Sequence, residues 1–255
     1  AVRSTAGLAF ALGLLVVRPP ELAAPAAGWA LMALAVFLAP LLINVLYFRG
    51  LARGQLGVQG ALGQSAPMFV VVLELVLLQK VASPWAWLGA GLIAAGCVQL
   101  LSANRKDANR QAMFYGIAAA FVAGLTAIVQ RQVLEYFDKL TLVFVQNIVF
   151  AGVAASLFLL PARWVPITSE PDRPDDRLWP AVVMAVLSGL LVQVVFDYMK
   201  FASFETIGTV ATMSLLRLYL VFVLLLGWLF FGEEVTWARV AGVGLVALGA
   251  LLAAF

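Results

Sequence analysis

The chain has 255 residues, of which 64% are hydrophobic and only 11% charged, with a formal net charge of +3 and a mean hydropathy of +1.03. A soluble domain carries about 45–50% apolar and about 25% charged residues, so this composition belongs in a bilayer, and so small and scattered a positive charge excludes nucleic acid as a partner. Histidine is absent and Cys97 is the one cysteine, which removes the commonest metal ligand, the commonest general base and any intramolecular disulfide.

The first apolar run, 4–17, is too short to cross about 30 Å of hydrocarbon. Arg18-Pro19-Pro20 follows it in place of a small-residue cleavage site, which argues against a signal peptide. It reads as the remainder of a helix whose beginning lies upstream; the other reading is a natural nine-helix protein. Full-length candidate spans follow near 28–48, 56–79, 85–103, 112–132, 140–160, 178–201, 206–231 and 236–255. Proline, glycine and charge clusters punctuate them at Pro25, Arg49 to Gly54, Pro84, Ser102 to Arg110 and Pro161 to Pro180. The segment 161–180, PARWVPITSEPDRPDDRLWP, reads as a solvated loop with Trp164 and Trp179 at headgroup level.

The spans repeat. Residues 77–96, LLQKVASPWAWLGAGLIAAG, recur as 230–249, FFGEEVTWARVAGVGLVALG, at an offset of 153 positions. Gly89, Gly91, Leu92, Ala94 and Gly96 reappear as Gly242, Gly244, Leu245, Ala247 and Gly249. The same offset pairs Asn44 with Asp197 and Gln64 with Arg217. So long a period is not a solenoid's; in a membrane it fits a duplicated helical bundle of the kind transporters use. Helices in lipid associate through small residues and close backbone approach. The glycines at 89, 91, 96, 242, 244 and 249, with Ala95 and the stepped Gly57, Gly60 and Gly63, are therefore expected to form packing faces.

Polar residues far inside apolar spans point to function, because burying a charge there costs at least about 2.5–3.5 kcal/mol. Arg217 lies twelfth in its span, close to the midplane, and keeps its charge. Gln64 lies near mid-span, three residues before Pro67, which is expected to bend its helix. Glu74 follows, with Tyr219 beside Arg217 and Gln146-Asn147 partway into 140–160 as further candidates. Two readings of this set stand: an internal Glu74–Arg217 ion pair, or a pathway lined by these groups. Gln130-Arg131 and Lys200 read as helix-end anchors, and Cys97 as core. An intramembrane enzyme would need a nucleophile–base pair, a metal cluster or paired carboxylates; the adjacent Glu233-Glu234 sits at a span boundary and does not supply one. No cofactor is expected.

The arrangement resembles the drug/metabolite transporter superfamily, in particular its ten-helix members built from two EamA-type repeats. The matching residues are Pro67-Met68-Phe69 and Gly89-Ala90-Gly91-Leu92-Ile93 in the first repeat, and Gly232-Glu233 and Gly242-Val243-Gly244-Leu245-Val246 in the second. The family's arginine near the start of its second helix falls at Arg3. The chain departs from the pattern at Lys80, where the family has an acid, and in lacking a proline in the second repeat where Pro67 stands in the first.

The resemblance implies an all-α integral membrane fold of two inverted repeats, with about nine transmembrane helices in this chain. They divide as 1–103, lacking the first helix, a linker at 104–111, and 112–255. It implies export of a small organic solute, such as a metabolite or amino acid, by alternating access. Arg217 would attract an anionic group, and Glu74 would bind an amine or carry a coupling proton. Expected partners are this small-molecule substrate, the lipid of a bacterial inner membrane, and a coupling proton or counter-substrate, with a homodimer left open. Other readings are a nucleotide-sugar or lipid-linked substrate and a non-transporting membrane scaffold. Orientation is contested: the loops richer in basic residues, among them Arg49, Arg53, Arg105, Lys106 and Arg110, are cytoplasmic by the positive-inside rule, whereas the family's cytoplasmic termini put them outside.

Overall fold

A computed structural model describes residues 12–13, 22–51, 61–103, 110–159, 195–231 and 235–255. The 161–180 loop, Arg3, Gly57, Gly60, Glu233-Glu234, most of the 4–17 run, most of the 104–111 linker and most of the 178–201 span lie outside them. The described residues form helices joined by short turns, with no strand among them. In chain order they form α1 (Ala26–Val36), a π-helical stretch (Phe37–Ile43), α2 (Asn44–Leu51), α3 (Ala66–Leu78), α4 (Pro84–Ala103), α5 (Arg110–Val133) and α6 (Lys139–Leu159). After them come α7 (Asp197–Thr206), α8 (Thr209–Leu215), a 3-10 turn (Leu216–Leu218), α9 (Tyr219–Phe231) and α10 (Trp237–Leu252).

Among the described residues five stretches are long and apolar enough to cross a membrane: Ala26–Gly50, Ala61–Leu78, Pro84–Ser102, Arg110–Val133 and Thr209–Phe230. They match the spans read at 28–48, 56–79, 85–103, 112–132 and 206–231. Trp237–Leu252 is apolar but shorter. Two expectations about continuity are corrected. The 28–48 span is not a plain α-helix, since Pro40 sits inside the π-helical stretch and cannot donate to the carbonyl four residues back. The 178–201 span runs on to Thr206, and the next helix begins only after Gly208, whose φ of +83° an L side chain rarely adopts.

The chain divides into two compact units, each drawing on both halves of the sequence. In the unit of Ala1–Val36 and Val133–Ala202, α1 packs on α6. A Cβ at Gly28 would meet the Tyr136 ring at 3.0 Å, and Trp29 stands edge-on to Phe137 at 5.0 Å. Asp138 caps α6, its carboxylate accepting from the Thr141 N–H at 2.9 Å.

In the unit of Phe37–Gln132 and Ser203–Phe255 the closest-packed pair is α4 with α10. Both helices start on a hydroxyl cap: Ser83 accepts from Ala86 N–H, and its repeat-mate Thr236 accepts from Arg239 N–H. The glycine motif makes the contact. A methyl on Gly89 would overlap Gly249 O, and one on Gly96 would lie 2.7 Å from Gly242 O. Each glycine thus meets the opposite end of the other motif, so the two helices run antiparallel. Ile93 and its repeat-mate Val246 sit midway and are both fully buried. Residues 89–97 and 242–250 show the same succession of burial, position for position. One expectation fails here: Gly91, Gly244 and Gly63 would have nothing within 4 Å of an added methyl, and Ala95 is exposed. They lie off the packing face. α5 completes the unit against α3, where Gly124 comes close to Ala66 O and Phe69, and Phe121 stands edge-on to Phe69 at 5.6 Å.

Candidate functional site

Gln64 and Arg217, repeat-mates in sequence, both lie where a helix is interrupted. In the first repeat Pro67 lacks an N–H and its ring crowds the carbonyl four residues back. The helix at 61–63 therefore opens at Gln64-Ser65 and restarts at Ala66. Shorter bonds bridge the gap, Gln64 N–H to Ala61 O at 3.2 Å and Ser65 N–H to Leu62 O at 3.0 Å. The expected bend is thus a break, placed just before the proline. The second repeat has no proline, yet its α-helix gives way to the 3-10 turn at Leu216–Leu218, with Arg217 at its centre.

The breaks bring the two residues together. Arg217 Nη1 donates to Gln64 Oε1 at 3.3 Å, and Gln64 Nε2 donates to the Tyr219 hydroxyl at 2.8 Å. Gln64 is only 2% exposed, whereas Tyr219 is open on one side. The contact to Arg217 is long for an N–H···O bond, whose range is about 2.7–3.2 Å. Arg217 Nε is enclosed and has no hydrogen-bond partner, and no carboxylate among the described residues forms an ion pair with the guanidinium. One turn earlier, Ser214 is fully buried and its Oγ also lacks a partner. The Cys97 thiol lies within electrostatic range of Arg217, and Tyr47 within range of Tyr219. This is a cationic group with unused donors, held by an amide and flanked by hydroxyls. It can bind an oxyanion through charge-assisted hydrogen bonds.

Glu74 is not brought to this group, and no Glu74–Arg217 ion pair forms. It faces a separate cavity beside the Thr209 hydroxyl, with Lys80 and Arg131 within electrostatic range. Arg131, in the last turn of α5, also lines this cavity, and Gln130 is buried, at 3% exposure. Gln146 and Asn147 are buried on α6 in the other compact unit, where Gln146 Nε2 has no partner and Asn147 Nδ2 donates to Val143 O at 2.8 Å. Lys200 pairs with Asp197 at 2.8 Å and lies 4.5 Å above the Phe201 ring. Ser214 was absent from the expected set. A hydroxyl three residues before Arg217, on the same helix face, was the available signal.

No curated protein sequence matches the chain. A solved structure described as "Crystal structure of protein" superposes with a TM-score of 0.70 at 16% sequence identity, over 99% of this chain and 84% of that one. At that identity the likeness concerns the fold. The model of the EamA-like transporter family matches residues 1–102 and 110–255. The chain is a multi-pass integral membrane transporter belonging to the EamA-like transporter family.

Proposed function

We propose that this protein exports a small organic solute bearing an anionic group, by alternating access between two inverted repeats, with Arg217 as the anion-binding residue. The observation that carries the reading is the unanswered guanidinium: Arg217 sits deep in an apolar span with its Nε unpartnered and no described carboxylate beside it. A scaffold has little use for so costly a group, because a charge set within a membrane span needs a group to answer it, and Arg217 is half-buried with only its Nη1 bonded, to Gln64. Gln64 and Tyr219 fix the guanidinium's orientation, and Ser214 offers a hydroxyl to the bound oxyanion. Discontinuous helices near mid-membrane are where transporters of this architecture hold their substrates. The reciprocal, antiparallel contact of α4 with α10 supports the inverted relation of the repeats. The helix breaks at Gln64 and Arg217 would absorb the dihedral changes of rocking.

The test is a metabolite-resistance screen in cells expressing the full chain, followed by uptake of each hit into proteoliposomes. Arg217→Lys keeps the charge but loses the planar fork, so transport is expected to fall at least tenfold while melting temperature holds. Arg217→Leu is expected to abolish transport with stability unchanged or higher. Normal transport in both variants, or unfolding of the Leu variant, sinks the assignment.

A further inference from the structure

A polar chamber lies away from the Arg217 site, whose residues do not line it. It is a cavity of about 370 Å³ in the unit of Phe37–Gln132 and Ser203–Phe255, within the range of roughly 300–1,000 Å³ typical of small-molecule pockets. Its walls carry two acids, Glu74 and Glu205, and two bases, Lys80 and Arg131, with the Thr209 hydroxyl beside Glu74. The four charges arrive from different elements: Glu74 from α3, Lys80 from the turn after it, Arg131 from α5 and Glu205 from α7. Lys80 and Arg131 act on Glu74 across the space, yet neither closes onto it within 4 Å. Asp197 and Lys200, by contrast, do close, at 2.8 Å.

The backbone holds these charges where they stand. Lys80 is placed by Gln79, a non-glycine residue in the left-handed region at φ 53°, and its N–H donates to Glu74 O at 3.2 Å. Across the chamber Gly208, at φ 83°, separates α7 from α8. Residues held in such sparsely populated conformations cluster at ligand sites. Leu78, Phe204 and Val210 give the chamber an apolar side.

We propose that this chamber binds a zwitterion that carries a primary ammonium and an anionic oxygen group a few atoms apart. The ammonium would be held by Glu74 with the Thr209 hydroxyl, and the anion by Lys80 and Arg131. A ligand carrying both charges meets an opposite charge on each side, whereas a singly charged one leaves one half of the site uncompensated. Glu74 lies one turn from the end of the membrane-spanning stretch Ala61–Leu78. The same chemistry could therefore come from a free amino-acid-like solute or from a phosphoethanolamine lipid headgroup.

The experiment uses the purified full chain in phosphatidylcholine nanodiscs, whose quaternary ammonium has no N–H to donate. In one arm, binding of labelled L-alanine is measured with propionate and ethylamine as competitors. In the other, phosphatidylethanolamine is added to the nanodisc and its retention is read by native mass spectrometry. Binding in either arm is expected and identifies the source; in the solute arm each single-charge analogue should compete at least tenfold more weakly than alanine. Glu74→Gln and Arg131→Gln should each weaken the positive arm at least tenfold. Should Glu74→Gln lower the melting temperature, Arg131→Gln reads the same chamber from another helix. Failure of both arms with the wild type, wild-type affinity in both charge variants, or equal competition by the singly charged analogues overturns the proposal.

Discussion

A guanidinium set inside a membrane span needs its charge answered, and Gln64 answers Arg217 only in part, through one long hydrogen bond. The shortfall suggests a decisive substitution. Gln64→Glu would supply the missing carboxylate at the same reach, and a hydrogen bond between two ionised groups is shorter and stronger than one to a neutral amide. We expect melting temperature to hold or rise while transport is lost, because the internal anion occupies the place of the substrate's. Retained transport in a stable Gln64→Glu protein would show that Arg217 does not bind the solute's anion. Tyr219→Phe removes only the acceptor for Gln64 Nε2, so transport should fall by roughly two- to twelvefold, the effect of about 0.5–1.5 kcal/mol for one hydrogen bond, with the fold intact. The association of Gln64 with Arg217 was legible in sequence, since polar residues at one repeat offset inside apolar spans have few reasons to be there; Tyr219 was marked only by its closeness to Arg217 in the chain. The place of Glu74 was not. A straight helix would fix its direction relative to Gln64 at about 100° per residue, but the break at Gln64-Ser65 resets that phase.

Among the helices, the duplicated glycines were legible as a packing motif, but not which of them pack. Gly89, Gly96, Gly242 and Gly249 share one face, while Gly91 and Gly244 point elsewhere. The period of 3.6 separates the two groups only once the axis of contact is known. The distinction is measurable. Gly96→Ala would push a methyl against backbone atoms of α10 that cannot swing aside, at a cost of about 1–3 kcal/mol for overpacking. Gly91→Ala and Gly244→Ala face open space and should be neutral or stabilising by about 0.5–1 kcal/mol, the helix preference for alanine over glycine. Thermal unfolding in detergent checks both; a Gly91→Ala loss as large as that at Gly96 would contradict the packing described. The break at Pro67 could be read from the proline. The 3-10 turn at Arg217 could not, because Leu216–Leu218 carries no proline or glycine and its geometry depends on tertiary surroundings.

For the molecule as a whole, repeat-equivalent positions should lie on opposite sides of the membrane. Ala82 and Val235 stand 153 residues apart, just before the N-termini of α4 and α10, which run antiparallel. A cysteine at one should react with an impermeant maleimide only from outside the cell, and a cysteine at the other only after the membrane is opened. Cys97 is 3% exposed and stands where the second repeat has the buried Ala250, so Cys97→Ala gives a silent background without disturbing the core. Labelling of both positions from the same side would rule out inversion. This relation was implied by the family resemblance. What sequence could not supply is the reciprocity of the glycine contact, because two identical motifs in one chain pair as readily in register as in reverse.

That reciprocity bears on how the two halves can diverge. Gly89 is constrained by Gly249, not by Gly242, its own copy. Enlargement at one end of a motif must be met by a change at the far end of the other, so the duplicated segments drift as two crossed pairs. The freedom left to Gly91 and Gly244 is of another kind, since neither has a counterpart to answer. Across descendants of such a duplication, these two should lose their glycines first and independently, while the crossed pairs persist or turn over together.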